Sequence, residues 1–396
     1  MVKTWANSHS TLWLDEYASI RTAFDADTPG SQLAAHAAAT AFYRTNREKM
    51  DAGAEVTWAE CYNPATELSA IQHAYNLLID DGPEVFESEC QNRPGTKAAG
   101  DEQLEPAHIH RKATSLSRGI VPTWATHLTA FIDVQDKLLY GGVCAFRDGF
   151  RAHLLDYTTF PDQHRAHFAY RDAKKTLQRS TATTSLPAAL LAGLNCYTEE
   201  MLAKRWRRED GVEMQVNLCL IDAGDGDHAE TIYEFTRRSK FSTILIPSKG
   251  RGIGASASPW ESYKKREGER LGHHWSLAPV KTSAIRLATI DTNYWKTFVA
   301  TGLAAPVGDP RSVEIFAGTH SMLAEHLTAE YGFKTEGRGR TLTEWKLRVG
   351  RDNHFLDVVV GCHVAASMAG VRTAIAQAPI ATRKQTPRRN VAPLQI

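Results

Sequence analysis

The sequence has little that would assign it to a specialised class. Its six cysteines, Cys61, Cys90, Cys144, Cys196, Cys219 and Cys362, are scattered without CxxC spacing, which argues against a disulfide framework and a cysteine-based zinc site. Contexts such as "VNLCLI" and "VVVGCHVAA" mark several of them as reduced core thiols. No apolar run approaches the about 18 residues of a membrane span, and the longest, "LPAALLAGL", fits a core helix. The start, "MVKTWANSHSTLWLDEY", has no apolar stretch ending in a small-residue cleavage site, so no secretory signal is expected. Formal net charge is only +1, so a nucleic-acid partner would have to be met by local positive charge. The Gly-x-x-x-x-Gly-Lys-Ser/Thr pattern is also missing, which removes a P-loop for ATP.

What is there is an ordinary globular composition, 42% hydrophobic and 23% charged, on a chain of 396 residues long enough for one large or two medium domains. Residues 1–115 read as a helical region. "HSTLWLDEYASIRTAF" and "AAHAAATAFYRTNREKM" carry helical spacing, and "NPATELSAIQHAYNLLI" offers Asn63 or Thr66 as a cap with Pro64 at a helix start. A boundary is expected in "QNRPGTKAAGDEQLEP". From residue 116 the pattern changes to "WATHLTAFIDVQ", "KLLYGGVCAF" and "FRAHLLDYTTF", three strands of an antiparallel meander separated by short turns. After a polar connection over 160–186 come the helix "LPAALLAGLNCYTEEMLAKRW", a strand "EMQVNLCLIDAG", a helix "HAETIYEFTRRS" and a strand "FSTILIPSKGRG". "RDNHFLDVVVGCHVAASMAG" closes the domain as a helix with Val358, Val359, Cys362, Ala365 and Ala366 on one face. This order of elements predicts an α/β, ribonuclease-H-like mixed sheet flanked by helices over 116–370, followed by a basic tail over 371–396.

Acids interrupt this apolar pattern at three places. Asp133 lies inside the first strand, Asp222 ends the fourth, and Asp357 sits on the last helix in "HFLDVVV". A buried carboxylate is costly unless it is paired or holds a metal, and carboxylates that converge suit Mg²⁺, a hard cation with oxygen ligands. His354 precedes Asp357 by three residues and shares its helix face, where it could ligate a metal, shuttle a proton or orient water. Acids also end strands simply as turn formers, and spacing alone leaves that reading open.

"TAFIDVQDKLLYGGV", "CLIDAGDGDHAETIYEFTRR" with "ILIPSKGRG", and "RDNHFLDVVVGCHVAA" resemble, in order and spacing, the nuclease domain of the large terminase subunit of tailed bacteriophages. "AFYRTNREKMDAGAEVTWAECYNPATELSAIQHAYNLLIDDGPEVFESECQNRP" is similar to the segment that joins the terminase ATPase to its nuclease. The resemblance implies an endonuclease that cuts concatemeric phage DNA during packaging with two Mg²⁺ or Mn²⁺ ions. Asp133, Asp222 and Asp357 would be the metal-binding catalytic acids and His354 a catalytic histidine, with Asp225 and Asp227 able to supplement or replace Asp222. It further implies double-stranded DNA as partner, a separate terminase ATPase, a small terminase subunit and a portal, and the host cytoplasm as compartment. The missing P-loop departs from the family, so the expectation is a linker and nuclease without the motor.

Lys249 and Arg251 in "SKGRG" fall on an expected loop after the fifth strand, where they can hold DNA phosphates or simply be solvated. "KKREGERLGHHW" reads as a solvated helix anchored by Trp275, and Asp136, Asp148 and Asp156 as turn or surface acids. Lys296 belongs to a helix whose Tyr294, Trp295 and Phe298 point inward. Two rivals share the sequence: a junction-resolvase or transposase-like nuclease on the same fold, and a non-catalytic packaging or scaffold relic whose acids only hold structure.

Overall fold

Leu128, Ala130 and Ile132 cover one face of the strand around Asp133, while Thr129 and Phe131 cover the other. A strand buried on both faces must read as a nearly continuous apolar run. In the computed structural model, which describes residues 2–4, 6–24, 30–80, 86, 104–255, 257–280, 283–337 and 340–373, this is β1, His127–Val134. Most of the expected boundary stretch, and the basic tail beyond residue 373, lie outside the described residues.

β1 pairs antiparallel with β2, Leu139–Phe146, which pairs antiparallel with β3, Ala152–Phe160. On its other side β1 is joined in parallel by β4, Leu218–Asp222, and then by β5, Leu245–Arg251. The order β3-β2-β1-β4-β5 is the expected ribonuclease-H-like mixed sheet. It widens to nine strands: β6 (Arg270–Gly272), β7 (Trp275–Pro279) and β8 (Arg286–Asp291) extend it beyond β5, and β9 (Val313–Ile315) lies beyond β3.

The structure corrects the reading of "KKREGERLGHHW". Its second half is a β-hairpin whose turn holds His273 and His274, because alternate residues Trp275 and Leu277 enter the core. Trp275 does anchor the segment, as a strand residue.

In the N-terminal region, His9–Tyr17 forms a π-helical turn continued by Ala18–Arg21, and α1 (Ser31–Asp51) and α2 (Ala70–Asp80) complete it. Trp13, Tyr17, Tyr43 and Tyr75 form its core, with Trp13 stacked on Tyr75 at 4.0 Å between ring centroids. α2 starts later than its sequence suggested. Asn63 spends its side chain on a local turn to the Ala65 amide, and Ser69 Oγ accepts from the Gln72 amide instead.

Helices cover both faces of the large sheet. α3 (Leu186–Leu202) and α4 (Gly226–Arg238) share one apolar cluster with Ile132. α5 (Thr292–Ala304), the short α6 (Ser321–Leu327) and α7 (His354–Ala369) share the other with Phe131. The glycine pair in "LLYGGV" explains how closely helices approach β2. A Cβ on Gly141 would meet the Tyr197 hydroxyl of α3 at 2.5 Å, and one on Gly142 would meet Val358 of α7 at 2.8 Å. A separate hairpin, β10 (Glu330–Gly337) and β11 (Arg340–Leu347), lies against α5, where Trp345 Nε1 donates to Thr297 Oγ1 at 2.9 Å. Upstream, Ile109 enters the same core as α7, and Ala113 bridges to Ile315. Among the described residues no helix is long and apolar enough to cross a membrane.

Candidate active site

Strand register brings two of the acids side by side. Ile132 of β1 is paired in parallel with Ile221 of β4, so Asp133 and Asp222 follow as the next residues at the carboxyl ends of adjacent strands. Neighbouring strands run about 4.8 Å apart. Phe131 and Leu220 face the α5 and α7 side, so alternation sends Asp133 and Asp222 to that side together. α7 begins over the same edge, with Asp357 in its first turn.

Asp133 is 4% exposed and well held. Gln135 Nε2 donates to its Oδ1 and Oδ2 at 3.2 and 3.1 Å, and His354 Nδ1 lies 2.9 Å from Oδ2. The His354 ring stacks on Tyr140 with centroids 4.3 Å apart. Tyr140 stands opposite Asp133 in the β1–β2 pairing. Its hydroxyl is buried and finds no hydrogen-bond partner among the described residues, which makes it an orphaned polar atom beside the acids.

Asp357 is occupied differently. Lys296 Nζ, from α5, lies 3.2 Å from its Oδ1, and Asn353 Nδ2 donates to its Oδ2 at 3.0 Å. Both partners also reach Glu330, at the start of β10: the Lys296 ammonium makes a short ion pair with it, and Asn353 Nδ2 donates to its Oε1 at 2.6 Å. Sequence reasoning missed Lys296 as a partner of the acids, along with Glu330, Asn353, Gln135 and Tyr140. Asn353 reads as a helix cap, and the only local signal at Gln135 is its place two residues beyond Asp133.

The electrostatics follow from this uneven pairing. Burial, then the charge of Asp133, then Asp357 and Asp225 push the Asp222 carboxyl up to about 7 against the opposing hydrogen bond from the Gly224 amide, 3.0 Å from Oδ1. Asp357 is also raised, by burial and by Asp133 and Glu330, although Lys296 pulls it down. For His354, burial disfavours the imidazolium, but the hydrogen bond and charge of Asp133, helped by Asp352 and Asp357, outweigh it and leave the group above its ordinary value.

A stability consequence arises here. A carboxyl whose folded pKa is raised contributes stability below its unfolded pKa and loses it as pH rises through the folded one. Asp222, displaced from 3.8 to about 7, should therefore cost the metal-free protein stability progressively across that window, on the order of 4 kcal/mol. Asp357 and His354, both raised, act in the same direction. Melting temperature in EDTA is expected to fall as pH rises through this window, and Asp222→Asn should flatten the fall. An Asp222→Asn curve as steep as wild type would refute the account.

Residues 96–378 match the family model for the terminase large subunit gpA, endonuclease domain. The chain belongs to that family. No curated protein and no solved structure gives a significant match. The matched segment contains the whole nine-stranded sheet and all three acids, so the endonuclease domain family, one of nucleases in phage DNA packaging, supplies the context for the site.

The other candidates of the endonuclease domain do not join the acids. Lys249 and Arg251 are exposed, but they lie on β5 itself, paired with Thr289 and Asp291 of β8, and not on a loop. The partner strand is remote in sequence, and Gly250 fits the ladder because a Cβ there would meet Thr292 at 2.7 Å. By alternation with Ser248 and Gly250, both cations face the side opposite the acids, at the same carboxyl-end edge. Asp225 caps α4 through the Asp227 amide. Asp136 pairs with His228 at 2.7 Å, Asp156 pairs with Arg118, and Asp148 accepts from the Arg372 amide, all as structural acids of the meander.

The donor chemistry fits a hard divalent cation: oxygen ligands from Asp133 and Asp222 on adjacent strands, with Asp222 raised by burial and by the charge of Asp133, and an orphaned Tyr140 hydroxyl nearby. Among the described residues no three His, Cys, Asp or Glu side chains are gathered as a finished ligand set. Asp357 instead carries the ion pair with Lys296.

Proposed function

We propose that this endonuclease domain hydrolyses phosphodiester bonds of double-stranded DNA with Mg²⁺ or Mn²⁺, cutting concatemeric phage DNA during packaging. The observation that carries this reading is the pair Asp133 and Asp222, set side by side at the carboxyl edge of a buried sheet with Asp222 pushed up to about 7. Asp133 would be shared between two ions, with Asp222 and Asp357 each completing one position. Bound there, divalent ions would neutralise the charge that develops at the phosphate and acidify the attacking water.

The chain's own residues supply orientation and proton handling. Gln135 fixes the Asp133 carboxylate from one side while His354 fixes it from the other. His354, stacked on Tyr140 and held above its ordinary pKa, can keep a proton at Nδ1 toward Asp133, which leaves Nε2 to orient water. Tyr140 and Phe355, both buried and in edge-to-face contact at 5.3 Å between ring centroids, back the His354 ring with apolar surface. Lys249 and Arg251 would hold backbone phosphates along the edge, which confers little base specificity. Lys249→Ala should therefore weaken DNA binding for all sequences and reduce the slope of log affinity against log salt by about 1. An unchanged slope would make Lys249 a solvated surface residue.

Packaging partners in this reading are a terminase ATPase, a small terminase subunit and a portal. We also propose the helical region 1–115, the nuclease 116–370 and the tail 371–396 as functional units. Incubating supercoiled plasmid with the protein in Mg²⁺, Mn²⁺ or EDTA tests the main claim: nicking and linearisation are expected with either metal and not in EDTA. Preferential cutting of four-way junctions would replace the packaging reading with the resolvase one. No cutting with either metal, and no metal-induced rise in melting temperature, would leave the acids structural.

A further inference from the structure

Among the described residues, Asp222 alone of the three acids makes no ion pair, whereas Asp133 faces His354 and Asp357 faces Lys296. Lys296 is an unusual neighbour. It follows Trp295 on α5, and its side chain is only 12% exposed, so its ammonium is buried against acids and not displayed to solvent. It has two resting places: Asp357 Oδ1 at 3.2 Å, and Glu330 Oε1, with which it forms the closer pair. Glu330 is itself 8% exposed. A cation with a second, nearer carboxylate can leave the first without becoming an unpaired buried charge, the costly alternative. Asn353 spans the same two acids and keeps them in place whichever one the ammonium favours.

We infer that Lys296 is a resident counter-cation of the nuclease centre, which holds the Asp357 position closed to a divalent ion until its ammonium turns wholly to Glu330. The inference rests on the metal reading above and adds to it an inequality. The position completed by Asp222 is open from the outset, and the one completed by Asp357 must first displace a charge. The two positions should differ in affinity, and Lys296 is a positioning residue that sets the difference.

Mn²⁺ binding to the full chain, counted by electron paramagnetic resonance and titrated by calorimetry without DNA, tests this. Wild type should show one tighter and one weaker position. Lys296→Met should tighten the weaker one by about tenfold or more, lower the melting temperature in EDTA, and enlarge the rise that Mn²⁺ produces. Lys296→Arg, which keeps the charge, should retain the wild-type pattern. Glu330→Gln removes the second resting place, so it should weaken the Asp357 position by a similar factor, and it serves equally should Lys296→Met fail to fold.

A folded Lys296→Met protein with wild-type affinities, or Glu330→Gln with no weakening, would overturn the inference and reduce Lys296 to a structural ion pair. If neither wild type nor Lys296→Met binds Mn²⁺, the metal reading itself falls, and this inference with it.

Discussion

Asp133→Asn should cut DNA at less than about a hundredth of the wild-type rate while remaining folded. Asparagine keeps the size of the side chain and one carbonyl oxygen, so the Gln135 donor retains an acceptor and the buried β1 is not opened. What disappears is the charge. The charge of Asp133 raises both other acids, and it is the leading charged contributor to the rise at Asp222. Without it, a divalent ion would lose its central ligand, and Asp222 is relieved of the main charge that raises it, while burial still holds it up. His354 loses the partner that outweighs its burial, so its pKa should fall and it becomes a neutral imidazole beside an amide. The metal-free melting temperature should therefore hold or rise, because like-charge repulsion is removed. Plasmid nicking and a thermal melt in EDTA on the same preparation check both halves. A variant that nicks as fast as wild type would refute Asp133 as the central acid.

The residues that were legible in the sequence are those whose environment is set by their own element. A strand buried on both faces admits almost no polar residue, so Asp133 stood out in "LTAFIDV", and Asp222 stood out for the same reason at the end of "LCLID". Asp357 was visible as an acid within an apolar helix. Lys296 was not, because its own element pointed elsewhere: Trp295 and Phe298 announced an inward face, and nothing in "TNYWKTF" shows that α5 would turn the intervening lysine toward α7 and β10. Asn353 was not visible either, because it stands at the N-cap of α7 yet spends its amide on Glu330, which is remote in sequence, and on Asp357. The outer strands were hidden differently. β6 and β7 are short and follow a charged run, and β8 pairs with β5 across a long sequence gap, so "SKGRG" read as a loop when the ladder in fact continues through it.

Gly361→Ala should destabilise the protein by about 2 kcal/mol, against the direction that helix propensity alone predicts. Alanine in the interior of a helix is favoured over glycine by about 1 kcal/mol, and Gly361 lies in mid-α7. A Cβ at this position, however, would fall 1.8 Å from Phe131 Cδ2 and 2.2 Å from Cγ, deep inside the ring. Overpacking a close-packed core costs about 1 to 3 kcal/mol and occasionally more, and an overlap this large cannot be absorbed by a few tenths of an ångström. The ring is 5% exposed and has little room to turn, so β1 and α7 must separate. Separation moves Asp133, two residues along β1, away from Asp357 on α7. Cleavage should then fall by more than the lost stability explains, since a displacement of about 1 Å at a catalytic group can cost about a hundredfold. Phe131→Leu in the same chain makes room for the methyl, so the double variant should melt above Gly361→Ala alone, a coupling expected only of residues in contact. A Gly361→Ala protein that melts and cuts as wild type does would mean that the contact between β1 and α7 at Gly361 does not govern how the acids meet.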